Sequence, residues 1–132
     1  IFTRDQGLRP LVKAIRAGYV GYLMPDEDLG DAHSVFAPFF GIPTATLPIV
    51  GRIARMTGAR VIPVFCELNG DGRYHIRLGK ALPDFPSGDL QADATTVNAA
   101  FEASIRTAPE QYLWTLKWFR TRPQGEVSPY AR

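Results

Sequence analysis

Cysteine is almost missing from this chain. Cys66 is alone among 132 residues, so an internal disulfide is excluded, as suits a reducing compartment. Histidine is nearly as scarce: His33 and His75 lie far apart with one distant cysteine, too sparse for a zinc pattern. No G-x-S-x-G elbow occurs, and Ser34, Ser87, Ser104 and Ser128 have no His/Asp arrangement near them in sequence. Gly70-Asp71-Gly72 lacks the third glycine of a dinucleotide fingerprint and falls between strand-like runs rather than at a helix start. The acidic run from Asp26 fails as a calcium loop, because Gly30 holds its fifth position and Ala37 the place of the closing Glu. Neither sign of charge dominates. Lys and Arg number 15 against 13 Asp and Glu, a net charge of +2 that is far from the basic excess of a dedicated nucleic-acid binder.

What is present is the composition of an ordinary globular domain, 45% hydrophobic and 21% charged, long enough to bury a sizeable core. The opening Ile1-Phe2-Thr3-Arg4, with no initiating Met and no signal peptide, reads as a piece of a longer protein. Leu8, Leu11, Val12 and Ile15 recur with helical spacing and predict an amphipathic helix over 8–17, stopped by Gly18. Tyr19 to Met24 reads as a buried strand ended by Pro25. Asp26 and Asp28 then stand at a strand's C-terminal end, where open α/β sheets gather ligands. Two carboxylates at that spacing either orient a catalytic group and substrate hydroxyls or cap a solvated turn, and spacing alone does not choose between them.

From Ala32 to Gly51 there is no Asp, Glu, Lys or Arg, a length that would reach across a bilayer, but Pro38, Pro43 and Pro48 would break a spanning helix three times. The stretch is expected to be an apolar loop leading into a helix over 48–57. Phe36, Phe39 and Phe40 within it either line an acyl-chain groove or membrane-facing surface, or pack in the core. Arg60 to Glu67 predicts a second buried strand, Asn69-Gly70-Asp71-Gly72 a hairpin turn, and the returning strand a buried face of Tyr74, Ile76 and Leu78. Asp89 or Asp93 caps a helix carrying Val97, Phe101 and Ile105, and Pro109 starts a last one. On that last helix Tyr112, Leu116 and Phe119 oppose Trp114 and Trp118, with Lys117, Arg120 and Arg122 close by. Two apolar faces need two partners: the core for one, and for the other more core, another part of the protein, a membrane interface or a single-stranded nucleic acid. The order predicts one α/β unit, a mixed, largely parallel sheet flanked by helices.

Four blocks in order carry a resemblance. Pro25-Asp26-Glu27-Asp28-Leu29-Gly30, Val35-Phe36-Ala37-Pro38-Phe39-Phe40-Gly41, Ala54-Arg55-Met56-Thr57-Gly58-Ala59-Arg60-Val61-Ile62-Pro63, and Pro109-Glu110-Gln111-Tyr112-Leu113-Trp114 with Arg120-Thr121-Arg122-Pro123 together resemble the bacterial lipid A biosynthesis lauroyl/myristoyl acyltransferases. The resemblance implies a lysophospholipid-acyltransferase-like fold at the cytoplasmic face of the inner membrane. It implies transfer of a fatty acyl group from acyl carrier protein, the co-substrate, to a hydroxyl of a lipid A precursor, with no cofactor, no metal and no nucleic acid. It places Asp26 and Asp28 beside the catalytic histidine and the sugar head group, and Arg120 and Arg122 against phosphates or the acidic carrier. That family's His-x-x-x-x-Asp/Glu pair is not here, since Pro38 stands five positions after His33 and Lys80 five after His75. The chain therefore reads as roughly the C-terminal half of such an enzyme, with the N-terminal half as its nearest partner. Glu27, Ile49, Leu116 and Trp118 depart from residues common in the family.

Overall fold

In a computed structural model, residues 7–131 are described. The order is α1 (Arg9–Arg16), β1 (Val35–Phe39), β2 (Ile42–Thr46), α2 (Ile49–Thr57), β3 (Val64–Leu68), β4 (Tyr74–Leu78) and α3 (Leu90–Ile105), with short 3-10 turns at Asp31–His33 and Pro109–Gln111. The helices stand where periodicity and caps put them. Gly58, at φ 71°, is the left-handed cap of α2, and the Asp89 carboxylate caps α3 by accepting from the N–H groups of Gln91 and Ala92. Val97 and Ile105 are buried on the inner face of α3.

The sheet differs from the expected one. Among the described residues the strands form two separate antiparallel hairpins, β1–β2 and β3–β4, and no parallel pair. Tyr19 to Met24, expected as a buried strand, has no regular secondary structure and no strand partner among the described residues, and Tyr19, Val20, Tyr22 and Met24 are largely exposed. Strand propensity is present, but a strand requires a neighbour to take its backbone groups.

The proline-rich stretch expected as a loop is the β1–β2 hairpin. Phe40 (φ 49°) and Gly41 (φ 79°) make a two-residue turn with both residues left-handed, the geometry that matches strand twist. Phe39 pairs with Ile42, which puts Pro38 opposite Pro43 at a position where neither strand donates to the other, so two missing N–H groups cost the ladder nothing. The outward carbonyls of these prolines are taken by side chains. Asn98 of α3, buried, donates from Nδ2 to the Pro38 carbonyl at 3.1 Å and to Thr46 Oγ1 at 2.9 Å, and Arg122 donates to the Pro43 carbonyl. α3 thereby lies across β1. α2 meets α3 at Gly51, where an added Cβ would fall 2.5 Å from Asp93 Oδ2.

The last predicted helix is also corrected. After the turn at Pro109–Gln111 the chain runs through irregular turns, with Tyr112 extended at ψ 142°. Its aromatic residues are poor helix formers and gain more by packing separately. Trp118 stacks on Phe39 with ring centroids 4.5 Å apart, and together with Ile105 they form a core flanked by Phe101, Tyr112, Leu116 and Phe119. Trp118 and Tyr112 thus share one cluster instead of opposite faces. Among the described residues no helix is long and apolar enough to cross a membrane.

Candidate functional site

The loop after Tyr19–Met24 carries the two carboxylates, and the structure separates their roles. Asp28 is a clasp. Its Oδ1 accepts from the Gly30 N–H at 3.0 Å and from Thr121 Oγ1 at 2.7 Å, and its Oδ2 accepts from the Thr121 N–H at 2.8 Å. Arg120 Nη2 donates to the Asp28 carbonyl and lies 3.7 Å from Oδ1. Burial opposes ionisation of this carboxyl, whose side chain is 8% exposed, but the two Thr121 hydrogen bonds, the Gly30 N–H and the Arg120 charge together outweigh it and hold its pKa below the usual value. The Arg120 and Thr121 contacts tie residues 92 or more positions apart, so Asp28 and its loop are fixed by the C-terminal segment.

Asp26 is different. It is half-buried, and among the described residues its carboxylate has neither a hydrogen bond nor an ion pair. It lines an apolar cleft of about 680 Å³ together with Tyr19–Pro25, Ala59–Phe65, Ile15, Ile53, Val97 and Phe101. Beside it stands Tyr112, whose ionisation is driven to higher pH by burial and by the Asp26 charge. The Tyr112 hydroxyl and the Trp118 indole N–H are buried and face each other outside good hydrogen-bond geometry. A carboxylate with open lone pairs beside an apolar wall can orient a donor such as a hydroxyl or an imidazole N–H.

The two arginines also part company. Arg122, 10% exposed, is engaged with the Pro43 carbonyl and with Glu126, which anchors the C-terminal segment to β2. Arg120 keeps 58% of its side chain exposed next to Asp28. The three phenylalanines do not form one groove. Phe39 is fully buried in the core, Phe36 lies on the opposite face of β1 by strand alternation, and Phe40 sits in the turn with Arg106 5.0 Å above its ring. For Phe39 the core alternative holds, and the cleft that exists is lined by other residues. Among the described residues no three His, Cys, Asp or Glu side chains come together to hold a metal.

Thr121 and Tyr112 are the site neighbours that spacing did not reveal. Thr121 had a signal in the Arg120-Thr121-Arg122 block, whereas nothing local ties Tyr112 to Asp26. The sequence profile of the bacterial lipid A biosynthesis acyltransferases matches residues 1–121. The chain belongs to that family. A lipid A biosynthesis myristoyltransferase of Escherichia coli K12 is 38% identical across the whole chain, which covers 41% of that protein. A lipid A biosynthesis acyltransferase of Haemophilus influenzae is 40% identical over 94% of the chain and 39% of its own length. The Escherichia coli lipid A biosynthesis lauroyltransferase is 35% identical over 93% of the chain and 41% of its own. The chain spans about two fifths of the length of these relatives.

Proposed function

We propose that this chain is the acceptor-side part of an enzyme that moves a fatty acyl group from acyl carrier protein to a hydroxyl of a lipid A precursor, at the cytoplasmic face of the bacterial inner membrane. The observation that carries the reading is family membership along residues 1–121. In the reaction the new ester C–O bond forms as the thioester C–S bond breaks, and the hydroxyl proton passes through a base to the departing thiolate. Neither histidine here has an acid five positions on, so the base belongs to the part of the enzyme outside these 132 residues. Asp26, with its lone pairs open, orients that base or the acceptor hydroxyl; Asp28 holds the loop that presents it. Arg120 offers its exposed guanidinium to the precursor's phosphate or to the acidic carrier. Phe40 packs against Phe39 at the rim of the core, and Phe36, partly exposed, remains to face acyl chain or membrane.

The test is an acyl-transfer assay of the full-length enzyme with an acyl carrier protein thioester and a lipid A precursor, read by the mass of the acylated product. Asp26→Asn is expected to lower kcat/KM about tenfold or more at an unchanged thermal midpoint. Unaltered kinetics would remove Asp26 from the site, and no transfer by the unmodified full-length enzyme would overturn the reaction itself.

A further inference from the structure

The cleft lined by Asp26 is bordered by two stretches of chain that carry unpaired backbone groups. Among the described residues, no N–H or C=O of 20–25 takes part in a hydrogen bond. On the other wall the alternation of the β3–β4 ladder can be read off its ends. Asn69 N–H donates to the Arg73 carbonyl and Gly79 N–H to the Pro63 carbonyl, so Phe65 and Glu67 bond inward to β4 while the backbone groups of Val64, Cys66 and Leu68 point to the outer edge. At Leu68 the Gln111 side-chain amide stands in for a neighbouring strand, accepting from the Leu68 N–H at 2.7 Å and donating to its carbonyl at 3.0 Å. Val64 and Cys66 have no such partner among the described residues.

The open backbone groups of 20–24 and of Val64 border the apolar floor, and Cys66 continues the open edge of β3 beyond the cleft. Such a slot suits a β-strand and not a lipid tail, because a methylene chain can satisfy neither N–H nor C=O. The size agrees. One strand residue in a packed sheet occupies roughly 160 Å³, from its rise, the strand spacing and the layer spacing, so the cleft of about 680 Å³ holds about four. A layer is missing on the same side, where Tyr74, Ile76 and Leu78 are 69–73% exposed on the hairpin face turned away from α3.

Chain order indicates which strand this is. α1 runs almost directly into Tyr19–Met24, the Tyr19 N–H bonding back to the Ala14 carbonyl. A helix followed at once by an apolar segment of strand formers fits the second half of a βαβ unit, whose first strand lies parallel beside the second and precedes the helix. We infer that polypeptide preceding Ile1 in the full-length protein supplies a strand that inserts between Val20–Met24 and β3, joining them into one sheet with Asp26 at its end. This rests on the family reading, in which the chain spans about two fifths of its relatives.

Hydrogen exchange on the full-length enzyme tests it, with the acyl-transfer assay run on the same preparation so that loss of the strand and loss of the reaction are told apart. Alternate amides of Val20–Met24, and those of Val64 and Cys66, are expected to exchange at least about 100-fold more slowly than unprotected amides, at every protein concentration and without added lipid. Exchange of those amides within about tenfold of the unprotected rate, while β1–β2 amides stay protected, overturns the inference. Protection that appears only as concentration rises would assign the slot to a second copy, and protection only with added fatty acid would assign it to an acyl chain; either result overturns it too.

Discussion

Asp28→Asn in the full-length enzyme isolates the clasp. The substitution keeps the shape of the side chain but removes the charge, and one oxygen that accepts from Thr121 becomes an NH₂ group facing a donor. Hydrogen bonds to a charged group contribute about 1.5–3 kcal/mol each in a site this dry, so losing one should open the clasp about 10- to 150-fold more often. The Thr121 amide, which donates to Oδ2 at 2.8 Å, reports this directly by residue-resolved hydrogen exchange. Thr121→Val, which removes only the hydroxyl bond to Oδ1, should accelerate the Gly30 amide by a smaller factor, about 3- to 10-fold. The pH dependence has a definite sign. Because the folded pKa of Asp28 is lowered from 3.8, its contribution is complete at neutral pH and is lost only as pH falls through that lowered value. Asp28→Asn should abolish this acid-side loss of protection. A change of less than threefold at Thr121, or an acid transition that survives the substitution, would refute the clasp.

Gly51→Ala should push α2 from α3 and disturb the Asp93 carboxylate, which accepts from Ser87 N–H and Oγ; despite better helix propensity, the thermal midpoint of the full-length enzyme should drop by about 2–6 °C, and an unchanged or raised midpoint would contradict the close approach. Tyr112→Phe removes a buried hydroxyl whose nearest polar neighbour, the Trp118 indole N–H, lies outside good hydrogen-bond geometry, and leaves the ring packed on Trp114 and Trp118, so the midpoint should stay level or rise; a fall of more than about 3 °C would mean the hydroxyl is bonded.

Elements whose signals are local were legible in the residues. α1, α2 and α3 follow from apolar spacing with Gly18, Gly58 and Asp89 at their ends, and the β3–β4 hairpin follows from Asn69–Gly72. But β3 is not buried, and the face of Tyr74, Ile76 and Leu78 expected to be buried is exposed, because among the described residues no element packs on that side. The β1–β2 hairpin was not, because three prolines argue against a strand unless the pairing register is known to set Pro38 against Pro43. The aromatic tail misled for the opposite reason: its helical spacing is real, but the core offers each ring a better contact. Of the site, the acids and arginines were visible as residue types. Which of each pair is occupied was not, since Asp28 and Arg122 find their partners 93 and 79 positions away.

By itself the sequence determined the family, the helices and which charged residue types stand in the Asp26–Asp28 and Arg120–Arg122 blocks, because motif order and short-range periodicity are properties of the chain alone. The tertiary structure decided that Asp28 clasps while Asp26 stays open, that Phe39 belongs to the core, and that Val20–Met24 borders a cleft. Those outcomes depend on which distant groups arrive to pair or to pack, and a backbone edge or a carboxylate is satisfied or open only relative to them.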